Sequence, residues 1–225
     1  MRFDTVLMDI DDTLFDFRKS SFEALVTAFA ELGVSFTEAD MPHYEVYNNR
    51  MWEMFERGEI EKEHIYEERF RLYFAERGIE ADTAAFNRKY LYELAEGVNF
   101  MPHCAELLRV LHGRVKVFIL TNGDTYAQER RIEKSGFAPY FDGVFISEQL
   151  GCKKPEKAFY DKVFSLIGEE YRGCTLMVGD SLSSDMQGGR NAGIPTCFYG
   201  TREKADARCD YVIEDLLELP PLLGI

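Results

Sequence analysis

The side chains able to do chemistry fall in four places, each on the C-terminal side of an apolar run. Near the start, Val6-Leu7-Met8 gives way to Asp9-Ile10-Asp11-Asp12-Thr13. An apolar run bounded at once by carboxylates predicts a buried strand whose C-terminal tip delivers Asp9 and Asp11 to one pocket, at the end where open parallel sheets bind ligands. One carboxylate of such a pair can attack while the other gives and takes a proton. Second, Val117-Phe118-Ile119-Leu120 runs into Thr121-Asn122-Gly123, a hydroxyl, an amide and flexible backbone of the kind a phosphate oxygen needs as donors. Third, Gly151-Cys152-Lys153-Lys154-Pro155 aims Lys154 just ahead of a helix started by Pro155, where a lysine can hold a phosphoryl oxygen and neutralise an attacking carboxylate. Fourth, Leu176-Met177-Val178-Gly179 ends in Asp180 and, five residues on, Asp185. Each stretch alone has a duller explanation: a solvated acidic turn, an ordinary Thr-Asn-Gly turn, a surface lysine, or an N-cap from Ser184 or Asp185 for a helix at Met186. Four strand tips carrying such groups do not share one. Gathered in one pocket, Asp9, Asp11, Asp180 and Asp185 would repel each other unless a divalent cation sat among them, and oxygen-only ligands point to magnesium.

The elements that must position these groups follow from periodicity. Apolar runs at 115–121, 144–147, 176–179 and 196–199, with Tyr211-Val212-Ile213 as a last edge strand, alternate with helical stretches at 125–135, 159–167 and 186–192, and a closing turn follows at 216–219. With the first strand this makes an α/β fold, a Rossmann-like parallel sheet with helices on both faces and right-handed crossovers. Between strand one and the rest, Phe22, Leu25, Val26, Phe29 and Leu32 share a helical face. The span 37–96, rich in Glu, Arg, Tyr and Phe, is expected to break at Pro42, Gly58 and Gly78 into roughly four helices. Residues 1–16 and 98–225 thus form the expected core, and 17–97 an inserted helical domain lying over the strand ends as a lid, with joints near Asp16-Phe17 and Glu96-Asn99.

Composition limits the partners. The 225 residues carry 40 Asp and Glu against 26 Lys and Arg, a formal net charge of -14, which argues against nucleic acid or an anionic membrane surface as the main partner. A small phosphorylated metabolite, held locally by a metal and a lysine, fits. The five cysteines are scattered and form no Cys-x-x-Cys pair, the usage of a reduced protein without a zinc site. No signal-like segment or membrane-length apolar span is present, so a cytoplasmic protein is expected, a monomer or weak homo-oligomer.

Asp9-Ile10-Asp11-Asp12-Thr13, Thr121-Asn122, Lys154-Pro155 and Gly179-Asp180 with Asp185 together resemble the four motifs of the haloacid dehalogenase superfamily, phosphatase branch, over essentially the whole chain. The helical insertion resembles that family's type I cap. The resemblance implies a nucleophile at Asp9 that becomes an aspartyl phosphate and a general acid, then base, at Asp11. It implies magnesium on the Asp9 carboxylate, the Asp11 backbone carbonyl and Asp180, with Asp185 close by, and a phosphoryl group bound by Thr121, Asn122 and Lys154. Ser181 stands where Thr is common in the family. A further likeness, to YjjG-type pyrimidine 5'-nucleotidases, rests on the stretch Asp9 to Phe15, on Tyr47-Asn48-Asn49-Arg50-Met51-Trp52 with Gly58-Glu59-Ile60, and on Tyr140-Phe141-Asp142 to Ile146-Ser147-Glu148. It implies a nucleoside 5'-monophosphate as substrate, with Tyr47, Asn48 and Trp52, beside Tyr44, Asn49 and Phe55, offering faces for stacking a base and amides for reading its edge. Trp52 and Phe55 serve equally well as core of the inserted domain. A sugar-phosphate phosphatase or a phosphosugar mutase keeps all four motifs and stays open; a haloacid dehalogenase has no use for Asp11, and a non-catalytic phosphate-binding module no need of Asp9 and Asp11.

Overall fold

The computed structural model describes residues 3–225, which divide into two compact units, one of residues up to Phe17 with Val98–Ile225, the other Arg18–Gly97. In chain order the elements are β1 (Thr5–Met8), α1 (Phe17–Glu31), α2 (Met41–Glu56), α3 (Lys62–Arg77), α4 (Thr83–Glu96), α5 (Cys104–Leu111), β2 (Lys116–Thr121), α6 (Thr125–Ser135), β3 (Gly143–Ile146), α7 (Ser147–Leu150), α8 (Lys157–Ile167), β4 (Thr175–Gly179), α9 (Gln187–Ala192), β5 (Thr196–Tyr199), β6 (Tyr211–Ile213) and α10 (Leu219–Leu223).

All six strands lie in one sheet in the order β3-β2-β1-β4-β5-β6, and every neighbouring pair is parallel. The alternation of side chains along the strands explains why both faces are covered. Val6, Met8, Val117, Ile119, Leu176 and Val178 point to one side and pack with Leu107, Leu108 and Leu111 of α5 and Leu219 and Leu223 of α10. Leu7, Phe118, Leu120 and Met177 point to the other, against Phe159, Tyr160, Val163 and Phe164 of α8. β1 pairs with β2 at Met8↔Ile119 and with β4 at Met8↔Val178, so the chains that leave these three strands emerge together at one edge.

The other unit is helical throughout. Its core is aromatic: Phe29 stacks on Phe36 at 4.9 Å between ring centroids and meets Phe86 at 4.6 Å, and Phe70 contacts Phe86 and Tyr90. Buried Arg69 on α3 ties the neighbouring helices together, donating to Asn48 Oδ1 of α2 at 3.2 Å and Asn87 Oδ1 of α4 at 2.7 Å. The span 37–96 holds three helices, not roughly four. Pro42 lies in the first turn of α2, where its fixed φ and missing N–H cost nothing, so it starts a helix and does not divide one. Gly58 and Gly78, both at positive φ, do end α2 and α3. Among the described residues no helix is long and apolar enough to cross a membrane.

Candidate active site

β1 continues one residue past its end, with the Asp9 N–H donating to Val178 O at 2.9 Å, and this places the Asp9 carboxylate at the sheet edge, buried. Lys154 arrives from the segment between α7 and α8, and its ammonium donates to Asp9 Oδ1 at 2.5 Å, Asp185 Oδ1 at 2.7 Å and Leu120 O at 2.9 Å. Asn122 holds that segment in place. Its amide accepts from the Lys154 N–H at 3.0 Å and donates to the Lys154 carbonyl at 2.9 Å. The Asn122 side chain thus clamps that backbone with its carbonyl oxygen and one of its two amide N–H groups, and the second N–H is the donor it can offer a phosphoryl oxygen. Thr121 Oγ1 accepts from the Gly123 N–H and from Gln128, both at 2.9 Å, which leaves its own proton to donate.

Past β4, a wide π-type turn over Leu182–Met186 brings Asp185 back beneath the strand end. Asp185 Oδ2 accepts from the Ser181 N–H at 3.1 Å, and a Cβ on Gly179 would stand 2.2 Å from that oxygen, so the strand must end in glycine for the acid to fold in. The cap of this turn is Ser181, whose hydroxyl accepts from the Ser184 N–H at 3.1 Å; Asp185 is free of capping duty and serves the site. Carboxylate oxygens of Asp9, Asp180 and Asp185 lie within 4.8 Å of one another. Thr13, a residue the sequence pattern did not single out as a site group, bridges two of them, reaching Asp9 Oδ2 at 3.3 Å and Asp180 Oδ1 at 3.5 Å.

Electrostatics decide what this cluster can hold. Three ionised carboxylates against one ammonium leave two negative charges in a buried space. Burial pulls the Lys154 ammonium down, but Asp185 and Asp9 more than offset this and keep it above its usual range, protonated. Asp9 bears the imbalance: burial pushes its carboxyl up to about 8, against the pull of Lys154, with Asp185 and Asp11 pushing further. Asp180 is likewise raised well above the carboxylate range by burial and by Asp9 and Asp185. A hard divalent cation with oxygen ligands removes this deficit, and an all-carboxylate donor set with no Cys or His among it fits magnesium.

The Asp11 carboxylate does not join the crowd of four acids expected from the sequence, whereas the metal role implied for Asp11 was through its backbone carbonyl. Its carboxylate lies on α6, accepting from Gln128 Nε2 and from Arg131 Nη1, each at 2.5 Å, so its side chain is not among the clustered oxygens. Any share Asp11 has in a metal site must come from its carbonyl. The candidates on α2 have separate partners: Tyr47 hydrogen-bonds Glu76, Asn48 accepts from Arg69 and from Tyr44 at 3.4 Å, and half-buried Trp52 sits edge-on to Phe55 at 5.8 Å. Tyr44 and Phe55 are buried core. Gln128 and Arg131 were not legible as site residues; their only sequence signal is an i, i+3 spacing on the helix that follows Thr121.

This geometry agrees with what the chain is similar to. A family model described as haloacid dehalogenase-like hydrolase matches residues 3–193. The chain is 34% identical to the pyrimidine 5'-nucleotidase YjjG of Escherichia coli, over 99% of each chain. It is 37% identical to the pyrimidine 5'-nucleotidase PynA of Streptococcus pneumoniae, over 86% of this chain and 82% of the other. The magnesium-bound crystal structure of the HAD-hydrolase YfnB from Bacillus subtilis superposes with a TM-score of 0.93 at 33% identity, covering both chains fully. Strand order, acidic cluster and buried lysine are thus those of an enzyme, and the chain belongs to the haloacid dehalogenase-like hydrolases.

Proposed function

We propose that the protein is a magnesium-dependent phosphatase that hydrolyses a small phosphate monoester, a nucleoside 5'-monophosphate with a pyrimidine base, through an aspartyl phosphate. The observation that carries this reading is the convergence of buried Asp9, Asp185 and Lys154 with half-buried Asp180, a nucleophile, a cation seat and a fixed positive charge together. Asp9 attacks phosphorus and the bond to the leaving oxygen breaks, while Asp11 in its protonated form gives its proton to that oxygen. Asp11, now a carboxylate, takes a proton from the water that cleaves the acyl phosphate. Lys154 holds Asp9 in line, and Thr121 offers its hydroxyl to the phosphoryl group. A magnesium ion on the Asp9, Asp180 and Asp185 carboxylates supplies positive charge for the transferring oxygens. Phosphate-monoester hydrolysis is among the slowest uncatalysed reactions, so the rate must come from this preset field and alignment.

The pyrimidine nucleotide is supported by the two similar 5'-nucleotidases, which are 34% and 37% identical to this chain over the aligned residues. The helical unit serves on this reading as the cap, and Tyr47, Asn48 and Trp52 as its candidates for contact with the leaving group. The test is a panel of pyrimidine and purine nucleoside 5'-monophosphates and sugar phosphates assayed for released inorganic phosphate, with magnesium and with a chelator. Fastest release from pyrimidine nucleotides, lost on chelation, is expected. Preference for sugar phosphates defeats the nucleotide assignment, and isomerised product without free phosphate makes the enzyme a mutase. Asp9→Asn is expected to abolish turnover while the circular dichroism spectrum stays unchanged; turnover that survives the substitution rules Asp9 out as nucleophile.

A further inference from the structure

Arg131 on α6 is among the most deeply buried side chains of the protein, 1% exposed. A guanidinium withdrawn from water costs several kcal/mol unless it is compensated by charge and hydrogen bonds. Its compensation is sparse and pointed. Nη1 pairs with Asp11 Oδ1 at 2.5 Å and with Gln128 Oε1 at 3.2 Å, while Nε and Nη2 have no hydrogen-bond partner among the described residues. The guanidinium plane lies over the rings of Phe15, at 5.1 Å, and Phe17, at 6.0 Å, which support it from the apolar side. Asp11 is the carboxylate it pairs with.

The second oxygen of Asp11 is held separately. Gln128 Nε2 donates to Asp11 Oδ2 at 2.5 Å and to Thr121 Oγ1 at 2.9 Å, and Gln128 is itself oriented by Arg131. Gln128 is 1% exposed, and a Cβ on Gly123 would stand 2.2 Å from its Nε2, so the backbone before α6 is cut back to let the amide in. Two donors on one helix, one per carboxylate oxygen, fix both the side-chain rotation of Asp11 and the tilt of its carboxylate plane. The charge of Arg131 is neither exposed nor fully hydrogen-bonded, and the one carboxylate that balances it is Asp11.

We propose that Arg131 and Gln128 are positioning residues for Asp11: they hold its carboxylate in the single orientation from which it exchanges a proton with the leaving oxygen and with water. The proposal rests on the phosphatase reading above. Both act through Asp11, whose carboxylate they hold. Without them Asp11 keeps its chemistry and loses its place, and misplacement alone is costly when a proton must pass along one hydrogen bond.

Two esters with different leaving groups separate this role from a structural one. An alkyl phosphate, uridine 5'-monophosphate, needs its leaving oxygen protonated as the ester bond breaks; p-nitrophenyl phosphate, with a stable phenolate, does not. For both, Asp11 must still activate the water that clears the phosphoenzyme. Arg131→Met and Gln128→Leu are therefore expected to lower kcat/KM for the alkyl ester by about 10- to 100-fold while changing kcat/KM for the aryl ester by less than about threefold, and to lower kcat for both. Arg131→Lys, which returns a charge without the planar fork, should recover part of the loss on the alkyl ester. Glucose 6-phosphate replaces the nucleotide if sugar phosphates prove to be the substrates, so an error in the nucleotide assignment leaves the comparison standing. Equal falls in kcat/KM on both esters, or unchanged turnover of the alkyl ester, overturn the proposal. So does a wild-type enzyme that hydrolyses neither ester, which also removes the reading beneath it. Gln128→Leu changes little volume and keeps the test available if Arg131→Met does not fold.

Discussion

Lys154 sets the charge balance of the whole site, because its ammonium touches two of the three clustered carboxylates and its main chain is clamped by Asn122. Removing one partner of a buried ionic group leaves the others uncompensated, at a cost of roughly 3–5 kcal/mol. Lys154→Met should accordingly lower the melting temperature of the metal-free protein by about 10 °C, at ~2–4 °C per kcal/mol for a chain of this size, and should cut turnover by at least ~100-fold. Differential scanning calorimetry with a chelator present checks the first effect, and a melting temperature within a degree of wild type would show that Asp9 and Asp185 do not depend on the lysine. Asp9 and Asp180 were legible at this scale because each directly follows a buried strand, where a charge has no packing reason to be; Lys154, beyond α7, and Asp185, inside the turn after β4, were legible only in the company of the other motifs. Arg131 and Gln128 were not, since a polar residue on a helix reads as solvent-facing until its neighbours are known.

Among the elements, α6 carries most of the second layer of the site, presenting Gln128 and Arg131 from a helix begun by the Asp124 cap, whose carboxylate accepts from the Ala127 N–H at 2.9 Å. The α4 helix of the other unit has an equivalent start: Asp82 accepts from the Ala84 and Ala85 N–H groups, both at 3.0 Å. Losing such a cap costs about 1 kcal/mol in either helix. The consequences should differ. Asp124→Ala is expected to reduce turnover of alkyl phosphates by loosening the first turn of α6 beside Gln128. Asp82→Ala should shift only the denaturant midpoint. Urea titrations paired with assays of both variants check this, and equal activity losses would show that α6 holds its geometry without the cap. Element types and order followed from pattern in the sheet, where apolar runs bounded by Gly and polar residues leave little choice. Pro42 misled because proline stops a helix from its interior yet starts one from its first turn, and the sequence pattern does not say which turn it occupies.

At the scale of the molecule, the acidic cluster links stability to pH and metal. Asp9 titrates near 8 in the folded, metal-free protein and near its ordinary 3.8 when unfolded. The folded state holds a proton that the unfolded chain has given up, so the group's contribution is fully present below the unfolded value and is lost as pH rises through about 8. The metal-free protein should therefore melt at progressively lower temperature as pH rises from about 4 to about 8 and level off above that, and saturating magnesium should flatten the decline, its stabilisation growing over this range as the site sheds its proton on binding. Melting curves with and without magnesium across this range decide the matter; parallel curves would mean that the carboxylates are ionised without the cation. What the linear chain determined by itself was the parallel sheet and the four groups at its strand ends, because burial, strand period and the position of active sites in open sheets are local or fold-level rules. Only the tertiary structure decided that the Asp11 carboxylate is held by Gln128 and Arg131 of α6, that Asn122 clamps the Lys154 backbone, and that Asn48 belongs to a buried arginine network. Those choices depend on which donors come within about 3 Å of a given acceptor once separate segments are packed, and no spacing along the chain encodes that distance.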